Sequence, residues 1–70
     1  MLAEHEMSKI NEIRKDCQSY INRHKKMPTN FCVNEREFNI TQKARKEGIR
    51  LTVIYQGETV PVPLKKEIRL

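Results

Sequence analysis

The chain has 70 residues, 37% of them apolar, and a formal charge of +5 from fourteen Lys and Arg against nine Asp and Glu. So short a chain makes one domain at most, with a marginal core, because folding hides only about 60% of its unfolded surface. No apolar run nears the ~20 residues of a membrane span, and Met1-Leu2-Ala3-Glu4-His5-Glu6 lacks the basic start and apolar run of a secretory leader; a cytoplasmic location is therefore expected.

Residues 2–26 read as one amphipathic helix. Ile10, Ile13, Cys17, Tyr20 and His24 step by 3, 4, 3 and 4, Met7 extends this stripe upstream and Ile21 widens it. Acidic Glu4 and Glu6 gather at its start and basic Arg23, Lys25 and Lys26 at its end, as the helix dipole favours. Pro28 stops it. Residues 29–33 predict a short strand with Phe31 and Val33 on one face. Asn34 and Glu37 form a capping-box pattern that opens a second helix over 35–47. Phe38, Ile40, Thr41 and Ala44 share its apolar arc, and Gly48 is placed to end it.

A hairpin follows. Leu51, Val53 and Tyr55 alternate with Arg50, Thr52 and Ile54, and a two-residue turn at Gln56-Gly57 sets Val53 against Val60 and Leu51 against Val62. A four-residue loop over 56–59 keeps the same parity. Pro61 and Pro63 then delete N–H donors from one edge of the second hairpin strand, which marks that strand as a protected outer one. The expected fold is α+β and a single domain over 1–70. A helix over 1–27 precedes a β-α-β-β unit over 28–64, and a basic tail over 65–70 follows. A crossover through the second helix would lay strand 29–33 parallel to strand 50–55, giving a three-stranded sheet with one helix packed on it.

Candidate chemistry is sparse. Cys17 and Cys32, in a chain with no leader, read as reduced core thiols. Neither they nor His5 and His24 have the spacing of a metal site, and Cys17 and His24 lie ~10.5 Å apart along a helix, too far for a nucleophile–base pair. There is no glycine-rich phosphate loop. No cofactor, metal, small-molecule substrate or enzymatic activity is expected.

Two surfaces suggest binding. The stripe Met7, Ile10, Ile13, Cys17, Tyr20 and His24 is a candidate protein-interaction seam, for a partner protein or for a second copy in a homodimer. Three basic groups would touch a phosphate backbone if they converged: Arg23, Lys25 and Lys26; then Lys43, Arg45, Lys46 and Arg50; then Lys65, Lys66 and Arg69.

The stretch from Phe31, Val33, Asn34, Glu35, Glu37 and Phe38 to Ala44, Gly48, Ile49, Leu51 and Thr52 resembles the first half of a ribbon-helix-helix DNA-binding domain, over about a third of the chain. That family places a second helix after Leu51-Thr52, where this chain runs into Val53-Ile54-Tyr55-Gln56-Gly57 and a proline-bearing strand. A looser similarity, carried by Pro28-Thr29, Phe31, Val33-Asn34, Phe38, Gly48, Gly57 and Val60-Pro61-Val62, is to short accessory proteins of bacteriophages and other mobile elements. It implies a small module that binds and modulates a host or phage macromolecule. Protein binding is the leading expectation, and nucleic-acid binding the alternative.

Overall fold

The computed structural model describes residues 2–67. Helix α1 spans Glu4–His24. Ala3 precedes it without a side-chain acceptor, so only the return half of a capping box forms, the Ala3 N–H donating to Glu6 Oε1 at 2.9 Å. The helix ends at His24, four residues before Pro28. Lys25 turns left-handed, at φ 59°, and its N–H returns to the Ile21 carbonyl. The Tyr55 hydroxyl donates to the Lys25 carbonyl at 3.0 Å, which ties this turn to the hairpin.

Strand β1 is only Cys32–Val33. As alternation requires, Val33 is buried, Phe31 packs against the core and Cys32 faces water. Cys32 is thus not the core thiol its composition suggested; Cys17 is, and both are free.

Helix α2 spans Glu35–Lys46 and is capped at both ends by its own sequence. The Glu37 N–H donates to Asn34 Oδ1 at 2.8 Å, and the Asn34 N–H to Glu37 Oε1 at 3.3 Å. Asn34→Ala should cost about 1 kcal/mol, read from the urea midpoint, because it strands one amide at the helix start. At the other end Gly48 takes φ 83°, its N–H reaches the Arg45 carbonyl and the Ile49 N–H reaches that of Ala44. This is a Schellman turn. Ile40, Thr41 and Ala44 are buried and Phe38 is half-buried, so the arc expected from the sequence is the arc that packs.

The hairpin has the expected register. Strand β2, Thr52–Tyr55, pairs antiparallel with β3, Glu58–Pro61, setting Val53 against Val60. Gln56 and Gly57 have φ 53° and 82°, the paired left-handed residues of a type I′ turn. The Val62 N–H donates to the Leu51 carbonyl at 2.7 Å, so Pro61 falls where no ladder donor is needed.

The sheet order departs from expectation. No three-stranded sheet forms with β1 beside β2. The described residues form two two-stranded ladders, β2 with β3 and β1 with β4, the latter being Lys65–Lys66, paired parallel. The Lys65 N–H donates to the Phe31 carbonyl at 3.0 Å and the Glu67 N–H to that of Val33 at 2.8 Å. Lys65 and Glu67 share the parity of Pro61 and Pro63, so they point their donors to the edge the prolines leave bare. The proline-bearing segment is therefore not outermost. The prolines blank that edge for two positions, and β1 takes it where donors return. The start of the expected basic tail is thus a strand; residues 68–70 lie outside the described residues.

Helix α1 packs against both α2 and β2, and α2 against β4. Between them lies a core of Ile10, Ile13, Cys17, Ile21, Val33, Ile40, Ala44, Leu51, Val53 and Val62. The one buried polar side chain among the described residues, Thr41, is satisfied by donating to the Phe38 carbonyl at 2.7 Å.

Candidate functional site

The expected interaction seam faces inward. Ile10, Ile13 and Cys17 are at most 1% exposed, and Met7 packs against the same core. Both flanks of α1 are filled by this chain's own α2 and β2, so these residues offer no surface to a partner. A stripe alternating by 3 and 4 drifts off one face of a straight helix, by ~20° per heptad, unless a second helix coils around it. Here α1 lies on the hairpin, and Ile21 rather than Tyr20 continues the buried stripe. Tyr20 stays half-buried and His24, the last helical residue, is exposed; their rings meet with centroids 4.3 Å apart. Burial also pushes the Cys17 thiol pKa up, which keeps it protonated and inert.

The basic groups do not converge. Lys43 pairs with Glu6 at 3.2 Å, while the Arg50 carbonyl accepts from Arg14, so the second group spreads along the first half of α1 and reaches its start. Arg23, Lys25 and Lys26 lie at the other end of that helix, about 27 Å away at 1.5 Å per residue. Lys66 pairs with Glu35 at 3.3 Å, so the third group, with exposed Lys65, sits at the start of α2 while Arg45 and Lys46 end it. Arg69 lies outside the described residues. The result is three separate corners rather than one track.

Glu6 is a structural carboxylate. The Ala3 amide first, and then the Lys43 ammonium, hold its pKa below the ordinary glutamate range. A lowered native pKa adds stability that is complete above the unfolded value, near ~4.3, and is lost as pH falls through the native value. Glu6→Gln should therefore flatten the loss of stability between about pH 5 and pH 3, seen as a smaller shift of the urea midpoint than in the parent.

The larger hollow on the surface lies where α2 hands over to the hairpin. The Schellman turn at Gly48 reverses the chain, so that Arg45, Ile49 and Arg50 form a wall beside Thr52, Thr59 and Pro61. The groove has a volume of about 800 Å³. Its floor is the outer hairpin face, opposite the buried Leu51, Val53 and Val62. Ile54 continues that face toward the turn and is 65% exposed, the one large hydrophobic residue so placed among the described residues. Neither Arg45 nor Arg50 joins an ion pair with a described residue. The Arg14 guanidinium donates to the Arg50 carbonyl, which fixes the groove's end to α1. Sequence reasoning named Arg45 and Arg50 only as phosphate contacts and expected the sheet surface to bind without naming a residue on it; it did not bring these together with Ile54. The one legible signal for doing so was the alternation that put Ile54 on the face away from Val53.

A smaller hollow of about 380 Å³, lined by Asn34, Glu35, Arg36 and Glu67, lies at the start of α2. The capping box engages the Asn34 and Glu37 amides there, and the carboxylates of Glu35 and Glu67 line the hollow. Among the described residues no three His, Cys, Asp or Glu side chains are grouped to hold a metal ion, and no helix is long and apolar enough to cross a membrane. No protein-family model, curated protein or solved structure matches the chain.

Proposed function

We propose that this chain is a small non-enzymatic binding module of the cytoplasm that takes a protein partner on the outer face of its hairpin. The observation that supports the reading most is exposed Ile54 on a sheet face beside a groove with two arginines that pair with no described carboxylate. An apolar anchor next to Arg is the composition in which interface energy concentrates. The partner is a different protein rather than a second copy, since the α1 seam is spent inside the monomer and each copy carries +5. The similarity to short phage accessory proteins makes a host or phage protein the class to test first. A photoreactive residue at position 54 should cross-link a discrete protein in cells, nuclease treatment leaving the product intact, while one at exposed Asn39 should not. No product at position 54, or equal products at both, would refute the docking face.

Nucleic-acid binding is the second reading, favoured by the corner at the end of α1. There Arg23, Lys25 and Lys26 join no ion pair with a described residue and flank the Tyr20–His24 ring pair. Under it, a gel shift present at ~50 mM salt should vanish by ~200 mM, and Arg23→Glu with Lys26→Glu should abolish it.

A further inference from the structure

We propose that the partner binds as an added β-strand along the open edge of β2, with acidic side chains against Arg45 and Arg50. This rests on the docking reading above and names its geometry.

The two outer edges of the hairpin are treated unequally. The far edge of β3 loses a donor at Pro61, and the chain that continues it loses another at Pro63 before β4 pairs with β1. The far edge of β2 has no proline. Thr52 and Ile54 face Pro61 and Thr59 in the pairs that exchange no ladder hydrogen bonds, so their N–H and C=O groups point away from β3. None of those four groups has a partner among the described residues. The one carbonyl engaged along this edge is that of Arg50, by Arg14. A bare strand edge beside an exposed Ile is a template for pairing, and natural sheets block such edges unless they are used.

Charge selects the occupant. Arg45 and Arg50 line the groove beside this strand and join no ion pair with a described residue, in a chain of +5, so the added segment is apolar where it crosses Ile54 and acidic where it passes the arginines. A second copy would instead bring two more arginines to the same sheet. Main-chain bonds supply affinity in strand addition and alternate side chains supply specificity.

The test uses the full chain and a synthetic nine-residue peptide alternating valine with glutamate. On titration, the Thr52 and Ile54 amides should shift and exchange slowly with solvent. N-methylating the peptide on alternate residues removes the donors of one of its edges. In the register that faces β2, this should weaken binding about tenfold or more. Arg45→Glu with Arg50→Glu should weaken it about tenfold too. Ile54→Pro deletes one outward donor at a position where the ladder to β3 needs none, so that variant should fold and lose the peptide, while Ile54→Val, which keeps the amide and an apolar side chain, should keep most of the affinity. Strand addition is overturned by absence of binding at millimolar peptide, by indifference to N-methylation in both registers, or by amide shifts elsewhere with Thr52 and Ile54 unmoved. In each of these cases the cross-link from position 54 still decides separately whether the face docks a protein.

Discussion

Ile13→Asp should unfold the protein. Ile13 is 1% exposed and sits on the face of α1 that meets α2 and β2. Truncating a buried Ile costs about 2–5 kcal/mol through lost burial and the cavity left behind. A carboxylate placed there either stays charged in an apolar site or takes a proton at a further cost of several kcal/mol. A domain this small has roughly 5 kcal/mol in all. Far-UV circular dichroism of Ile13→Asp should show a largely unfolded chain at 25 °C in buffer, whereas Tyr20→Asp, at the flank of the stripe, should stay folded. Were Ile13→Asp to remain helical and merely change its sedimentation, α1 would be an interface and not the core.

Lys65→Pro is the second large effect. The substitution extends the run at Pro61 and Pro63 by one more step of the same parity and removes the N–H that reaches the Phe31 carbonyl. The Phe31 carbonyl would lose its partner, and β1 is so short that one missing bond is half of its inward pairing from β4. Loss of a ladder bond with an unpaired carbonyl left behind costs about 1–3 kcal/mol. Phe31 and Val33 would loosen with it, since that ladder anchors them over the core. Lys65→Ala should be nearly neutral, because the side chain is exposed and the amide remains. Amide exchange should report the difference first at Val33. Equal stability of the two variants would mean that the β1–β4 pairing adds nothing to stability.

The local devices were legible because each is settled by neighbours in sequence. The Asn34–Glu37 box, the left-handed Gly48, the Gln56-Gly57 turn and the Val53–Val60 register each depend on a few adjacent residues and appear as read. Two readings failed for a shared reason. The seam on α1 was visible, but whether its apolar surface was spent within the chain or left over depended on what packed against it. The proline pair was visible too, and its parity argument holds at residues 61 and 63. It was silent about residue 65, where the same edge regains a donor and β1 attaches. Cys32 shows the limit in miniature. Strand alternation alone turns it outward while Phe31 and Val33 face in, yet its composition had suggested burial.

The amino-acid order by itself determined both helices to within about two residues at each end, the register of the hairpin, and which residues are apolar enough to be buried. Those features follow from backbone sterics and hydrogen bonds between near neighbours. Only the tertiary structure decided that β1 joins β4, that Lys43 and Lys66 are taken by carboxylates on different helices, and that Ile54 stays exposed. These depend on which distant surfaces meet, and many sequences with the same local pattern could satisfy their hydrogen bonds and hide their apolar faces in another arrangement.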